Sequence, residues 1–148
     1  MRAELELAVR YYETDQMGIV HHSNYIRYFE CGRSDMMAKY GLPIERIEAE
    51  GVMLPVVAVE CRYRKSAVMG DTVRIVSRID KVPLAKLVVR NEVYNQRGEL
   101  LADGSVTLGF IDAETRHPVR CPEKLAAVIR ASMETDGKDT DSTVGKNI

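Results

Sequence analysis

The residues best suited to chemistry lie close together near the N-terminus, within residues 12–25. The carboxylate of Asp15 comes three residues before Gly18, and both precede Ser23 and Asn24, which are residue types that often begin a helix. The first turn of a helix exposes unpaired backbone N–H groups at the positive end of the helix dipole. An acid facing such a terminus suits acyl transfer, because the acid can attack or activate water while the N–H groups stabilise an oxyanion.

Within this segment, Asp15 and the two histidines are the side chains to consider for catalysis. Asp15 could be an ordinary turn residue before Gly18, but its spacing from the predicted helix favours a catalytic carboxylate. It could act as a nucleophile or as a general base toward water, and both mechanisms remain open. The His21 and His22 side chains could transfer protons, although adjacent histidines before a helix are more often loop residues. Gly18 is expected to supply a backbone conformation that other residues resist.

The sequence around this segment predicts a mixture of strands and helices. A first strand is expected over residues 4–12, and a long amphipathic helix over residues 23–40. Gly32 lies on the apolar face of that helix, where it should allow close packing against a sheet. A short helix is expected over residues 43–50, and Pro122 begins a closing helix.

The other predicted elements are strands, in which apolar and polar residues alternate with a period of two. They cover residues 52–64, 72–80, 86–95 and 100–111. Pro55 suggests an irregular start or an edge position for the first of them. Short connections favour antiparallel neighbours. The sequence therefore predicts an α+β fold, in which a curved antiparallel sheet of about five strands wraps around a long central helix.

Size and composition indicate one ordinary globular domain. The 148 residues carry a formal net charge of -1, which gives no support for a nucleic-acid partner. No apolar run approaches the roughly 20 residues needed to span a membrane. The domain is expected over residues 1–134, and the polar residues 135–148 are expected to form a disordered tail.

The cysteines and histidines give no support for a metal site. Cys31, Cys61 and Cys121 are widely separated. Neither His117 nor the two histidines before the helix combines with them at ligand spacing. Reduced thiols in a cytoplasmic protein are the expected state.

The motif and the order of the elements resemble the hotdog-fold acyl-CoA thioesterases of the 4-hydroxybenzoyl-CoA thioesterase-like family. The shared pattern is an aromatic residue, a Thr-Asp pair, a glycine and a tyrosine, here Tyr12, Thr14-Asp15, Gly18 and Tyr25. It continues through residues 28–30 and 40–43, and the element order matches to about residue 111. The adjacent histidines are a departure, because many relatives carry an aromatic-rich pair there.

The resemblance implies an acyl-CoA thioesterase in which Asp15 is the catalytic carboxylate and the His22 N–H polarises the thioester carbonyl. It also implies that sheets join edge to edge in a homodimer or homotetramer, with active sites at the subunit interface. Coenzyme A is part of the substrate, so no separate cofactor is expected. The acyl group could be small, aromatic or fatty, and a thioester of an acyl-carrier protein also remains open.

Several residues could bind such a substrate. Asn24 and Tyr25 could line the acyl pocket, although a cap at Asn24 and a core position for Tyr25 fit the pattern equally well. The densest basic cluster could contact the phosphates of coenzyme A through charge-assisted bonds, or could be an exposed strand face. This cluster consists of Arg62, Arg64, Lys65 and Ser66, with Arg90 as a weaker candidate.

Two other functions remain open. A hotdog hydratase or dehydratase would pair a catalytic histidine with a carboxylate, for which His22 and Glu30 are available. Glu30 lies between Arg27 and Arg33 on the predicted helix, so an exposed ion pair is the simpler interpretation. The other alternative is a non-catalytic acyl-CoA binding module, against which the position of Asp15 argues.

Overall fold

A long helix lies against a five-stranded antiparallel sheet. The structure, a computed structural model, describes the backbone of residues 1–144 and the side chains of residues 1–136. The strands are β1 (Arg2–Ala8), β2 (Val52–Met53), β3 (Val56–Tyr63), β4 (Thr72–Arg78), β5 (Lys86–Tyr94), β6 (Leu100–Gly109) and β7 (Ile111–Asp112). The helices are α1 (Ser23–Lys39), α2 (Ile44–Ala49) and α3 (Glu123–Val144), with a 3₁₀ turn at Tyr11–Glu13.

The main sheet has the strand order β1-β4-β5-β6-β3, and every neighbouring pair is antiparallel. β2 and β7 form a separate two-stranded sheet. Helix α1 contacts β1, β4, β5 and β3, so it lies across the sheet. The predicted α+β fold, with about five antiparallel strands and a long central helix, is confirmed.

The core lies between α1 and the sheet. Side chains two apart on a strand point to the same face, so Ile75 of β4 and Val89 of β5 are buried on the face toward the helix. Phe29 and Met36 of α1 are fully buried as well. The apolar stripe predicted for the helix therefore forms the second layer of the core.

Gly32 allows α1 to lie directly on β4. A Cβ at this position would lie 2.5 Å from Ser77 Oγ and 2.6 Å from Ile75 Cγ2, which is closer than side chains pack. The close approach that the sequence predicted is confirmed, and only a glycine can provide it without a shift of the helix or the strand.

The first strand is shorter than residues 4–12. β1 ends at Ala8, and the Arg10 N–H donates to Glu13 Oε1 at 2.8 Å. A side chain thus takes the donor that a strand would offer to its neighbour. The chain then turns through Tyr11–Glu13.

The strand predicted over residues 52–64 is divided at Pro55. β2 pairs with β7, whereas β3 pairs with β6 in the main sheet. Proline has a fixed φ and no N–H, so it interrupts a ladder. β3 is an edge strand of the main sheet, and its Val57 and Val59 are 54% and 41% exposed.

The closing helix is longer than the sequence indicates. α3 extends to Val144, so residues 135–144 continue the helix where a disordered tail is expected. Lengthening an existing helix requires no new nucleation, and no proline interrupts this segment. Residues 145–148 of the predicted tail lie outside the described residues. None of the helices described here is long and apolar enough to cross a membrane.

We predict that Gly32→Ala lowers the free energy of unfolding by about 1–3 kcal/mol, because the added methyl overpacks the contact with Ile75. Helix propensity alone would favour alanine by about 1 kcal/mol, so a measured loss reports the steric conflict. Urea unfolding measures the difference. As a control, Ser34→Ala at an exposed position of α1 should change stability by less than about 0.5 kcal/mol. A Gly32→Ala protein as stable as the parent would contradict the close contact.

Candidate active site

A groove of about 320 Å³ beside the N-terminus of α1 contains most of the predicted site residues. It is formed by the loop before α1, by the start of α1 itself, and by the end of β3 with the residues that follow. Of the predicted residues it brings together Asp15, His22, Tyr25, Arg64, Lys65 and Ser66. Residues that are distant in sequence thus share one surface.

The loop that carries Asp15 is a tight turn. The Asp15 N–H donates to Ile19 O at 2.9 Å, and the Gly18 N–H donates to Asp15 O at 3.0 Å. Gly18 has a φ of +75°, in the left-handed region that favours glycine. The conformational prediction for Gly18 is therefore confirmed.

The carboxylate of Asp15 is oriented by the same turn. Its Oδ1 accepts the Met17 N–H at 2.8 Å, which is the geometry of an Asx turn. Within the described residues, no hydrogen bond or ion pair reaches Oδ2. One oxygen is thus held by the protein, and the other is available to a ligand in the groove.

Helix α1 begins one residue earlier than the predicted caps. His22 occupies the N-cap position and makes no side-chain cap bond. His21 Nδ1 instead accepts the Ser23 N–H at 3.3 Å and lies 2.8 Å from Ser23 Oγ. The His21 side chain therefore stabilises the helix start, as the loop interpretation of the histidines predicted.

The backbone N–H groups at the helix start differ in availability. Those of His21, Asn24 and Tyr25 donate to backbone carbonyls at 2.8, 3.0 and 3.3 Å. Among the described residues, the His22 N–H makes no hydrogen bond. His22 also lines the groove, at the positive end of the 17-residue α1. This N–H can therefore donate to an anionic oxygen.

Tyr63 is a groove residue that sequence reasoning missed. Its hydroxyl donates to His22 O at 3.1 Å, and its ring packs edge-to-face on Tyr25 with centroids 5.5 Å apart. Burial raises the pKa of both tyrosines, so both hydroxyls stay protonated near neutral pH. The position of Tyr63 between Arg62 and Arg64 of the basic cluster is the sequence signal that could have identified it. The apolar side chains of Met17, Ile19 and Val20 also line the groove.

The loop after β3 is hydrogen-bonded both to α1 and to the loop that carries Asp15. The Ala67 N–H donates to the buried Tyr25 hydroxyl at 3.0 Å. The Val20 N–H donates to Ala67 O at 2.8 Å. The two loops and α1 are thus joined through one residue, Ala67, which is fully buried.

Two candidates on α1 do not face the groove. Asn24 is buried, and its Nδ2 donates to Glu13 O at 2.9 Å, so its hydrogen bond is structural. Glu30 is 68% exposed and lies 3.9 Å from the Arg33 guanidinium. The exposed ion-pair interpretation of Glu30 is therefore confirmed, and the carboxylate is not among the groove residues near His22.

The basic cluster is divided between two surfaces. Arg64 and Lys65 lie at the groove with Ser66, and they pair with Asp103 at 2.9 Å and Glu99 at 2.5 Å. Arg62 lies instead in a separate groove on the opposite face of the sheet, together with Arg90. Successive side chains of a strand point to opposite faces, so Arg62 and Tyr63 diverge.

The cysteines do not line the groove. Burial raises the pKa of the Cys61 thiol, and it raises that of Cys121 to about 11. All three cysteines are free thiols. Within the described residues, no group of three or more His, Cys, Asp or Glu side chains could hold a metal ion.

The chain is similar to known proteins over most of its length. Residues 9–129 match the family model described as the thioesterase-like superfamily. The chain is 25% identical over 119 residues to the acyl-CoA thioester hydrolase YbgC of Escherichia coli. The aligned residues cover 80% of this chain and 89% of that protein.

Solved structures give the same result. A DHNA-CoA thioesterase from Staphylococcus aureus is 30% identical with a TM-score of 0.77, covering 99% of this chain and 97% of that one. The protein TT1821 from Thermus thermophilus is 35% identical with a TM-score of 0.81, covering 86% and 97%. The resemblance stated from the sequence is confirmed. The chain belongs to the thioesterase-like superfamily, and it is a thioester hydrolase with the hotdog fold.

Proposed function

We propose that this protein hydrolyses acyl-CoA thioesters, with Asp15 as the catalytic carboxylate and the His22 N–H as the oxyanion donor. The observation that carries the proposal is that one groove contains both an oriented carboxylate and an unpaired N–H at a helix start. A thioester carbonyl bound between them would have the acid near its carbon and the donor near its oxygen. The names of YbgC and of the DHNA-CoA thioesterase support a CoA thioester as substrate.

Two reaction courses fit this arrangement. In the first, an Asp15 oxygen attacks the carbonyl carbon, coenzyme A leaves as a thiolate, and water hydrolyses the mixed anhydride. In the second, the carboxylate accepts a proton from water while the water attacks the carbonyl, and the thiolate leaving group takes up a proton. In both courses, charge develops on the carbonyl oxygen, where the His22 N–H and the α1 dipole stabilise it.

The coenzyme A phosphates are proposed to contact Arg64, Lys65 and Ser66 at the rim of the groove. The two basic side chains are largely exposed, and they are paired with surface carboxylates. Exposed ion pairs contribute little stability, so a phosphate can replace the carboxylate at low cost. Arg62 is left out of this subsite because it lies in a different groove.

The active unit is proposed to be a homodimer or homotetramer. No strand of the described chain pairs with the outer edge of β3, which exposes Val57, Val59 and Tyr63. A second copy pairing along this edge would cover these side chains. Since Tyr63 also lines the groove, such pairing would bring the second copy next to the site. We propose no cofactor beyond the substrate's own coenzyme A. We also propose a cytoplasmic location, as expected from the sequence.

The two alternative functions have less support. A hydratase would need the Glu30 carboxylate near His22, and Glu30 is exposed and paired with Arg33. A non-catalytic binding module would not need an oriented Asp15 with one oxygen available. Hydrolysis uses both features of the groove.

We expect Asp15→Asn and Asp15→Ala to lower kcat by about 100-fold or more, because a general acid or base typically contributes that much. A thiol-release assay over short, medium, long-chain and aromatic acyl-CoAs measures kcat and KM. Asp80→Asn, at an exposed site outside the groove, should retain normal turnover. Folded Asp15 variants with near-normal turnover would show that Asp15 is not the catalytic carboxylate.

Replacements of His22 separate its backbone from its side chain. His22→Ala should keep kcat within about 10-fold, whereas His22→Pro should lose about 100-fold or more, as for removal of one oxyanion donor. The φ of -54° at this residue suits proline, so the fold should survive. Circular dichroism checks the fold, and thiol release measures activity. A folded and fully active His22→Pro protein would rule out the proposed donor.

The contact with coenzyme A is tested by comparing two arginines. Arg64→Ala should raise KM for acyl-CoA about 10-fold, the loss expected when a charge-assisted bond to phosphate is removed. It should leave KM unchanged for the same acyl group on pantetheine, which lacks the nucleotide phosphates. Arg62→Ala is the matched control and should change neither value. An effect at Arg62 with none at Arg64 would place the nucleotide on the other face of the sheet.

A further inference from the structure

Glu13 lies two residues before Asp15, and the residue is only 5% exposed. It does not line the groove. We infer that Glu13 is a positioning residue, whose hydrogen bonds fix the Asp15 loop relative to the start of α1. This inference rests on the proposed function, because it concerns the distance between the Asp15 carboxylate and the His22 N–H.

The carboxylate of Glu13 joins Arg10, two residues after the end of β1, to the second turn of α1. Its Oε1 accepts the Arg10 N–H at 2.8 Å and the Tyr28 hydroxyl at 3.1 Å. Its Oε2 lies 3.6 Å from an Arg10 guanidinium nitrogen. Burial and the neighbouring Glu13 carboxylate both raise the pKa of Tyr28, so the phenol remains a hydrogen-bond donor.

The backbone carbonyl of Glu13 contacts the first turn of the same helix. It accepts the His21 N–H at 2.8 Å and the Asn24 Nδ2–H at 2.9 Å. His21 directly precedes His22, whose N–H is the proposed oxyanion donor. The Glu13 carbonyl is therefore hydrogen-bonded to the residue directly before the proposed donor. Glu13 itself lies two residues before Asp15 in the chain.

These four bonds make Glu13 the direct link between the two proposed catalytic groups. A buried carboxylate is costly unless it is hydrogen-bonded, and an apolar side chain could fill this space without that cost. What an apolar residue would not provide is a fixed position for the carbonyl next to the helix start. Catalysis is sensitive to such positions, since a displacement of about 1 Å can cost about 100-fold in rate.

The decisive comparison is between Glu13→Ala and Glu13→Gln, assayed by thiol release beside the parent enzyme. Glu13→Ala should lower kcat by about 10-fold or more while KM changes by less than about threefold, which is the pattern expected when only transition-state contacts are lost. Glu13→Gln keeps an Oε1 acceptor for both donors and should keep kcat within about threefold. Tyr28→Phe removes one of the donors, and its loss should be intermediate.

Ile129→Val is the control for a loss of stability alone. It removes a methyl group from a fully buried side chain of α3, away from the groove. This variant should unfold at a lower temperature and keep its kcat. If Glu13→Ala also keeps its kcat while Asp15→Asn loses activity, Glu13 is merely structural and the inference is overturned.

Amide hydrogen exchange provides a readout that does not depend on turnover. Glu13→Ala should speed exchange at His21 and within residues 14–22, while β4 and β5 keep their protection. Asp15→Asn should leave the His21 amide protected. Unchanged exchange in Glu13→Ala overturns the inference. An inactive parent enzyme, or a fully active Asp15→Asn variant, would contradict the proposed function. In that case the hydrogen-exchange result alone decides whether Glu13 fixes the position of the loop.

Discussion

The close packing of α1 on β4 is the constraint on which the other features depend. With no side chain at Gly32, the helix can touch Ser77 and Ile75 directly. The helix is thereby fixed across the sheet, and its N-terminus lies beside the end of β3, where the groove forms. If the helix lay further from the sheet, no protein surface would face its N-terminus and the unpaired His22 N–H, and the groove would not form.

The groove itself is built by hydrogen bonds between irregular segments. One loop carries Asp15 and another carries Ala67, and neither belongs to a helix or a strand. Isolated β-bridges close the first loop between Thr14 and Val20 and join it to the second between Ile19 and Val68. Tyr25 joins the second loop to α1, and Glu13 joins the first loop to α1. Each link uses a buried polar group with its partners satisfied, which orients a loop more specifically than apolar contact alone.

The two faces of the sheet have different environments. The face toward α1 is apolar and buried, whereas the opposite face contains alternating arginines and carboxylates such as Arg62 and Glu92. The β3 edge is apolar and exposed at Val57 and Val59. An exposed apolar edge is unusual for an isolated domain, and this contrast supports the proposal that assembly completes the protein at β3.

The sequence by itself determined whatever depends on near neighbours in the chain. The period of α1, the close approach at Gly32, the left-handed turn at Gly18 and the joint position of Asp15 and His22 follow from local spacing. Nearly the whole order of elements does as well. The interruption at Pro55 was expected only as an irregularity, and its consequence, a separate β2–β7 pair, required a partner distant in the sequence.

Only the tertiary structure decided how the basic cluster divides and which residues support the loop. Arg62 and Arg64 are two residues apart, so a continuous strand would place both on the same face. Because β3 ends at Tyr63, Arg62 lies on the outer face and Arg64 lies at the groove. The sequence pattern left Asn24 open between a helix cap and an acyl-pocket residue and assigned no role to Glu13, and their hydrogen-bond partners decided both roles. Hydrogen bonds between distant segments fix these roles, and local spacing carries no information about them.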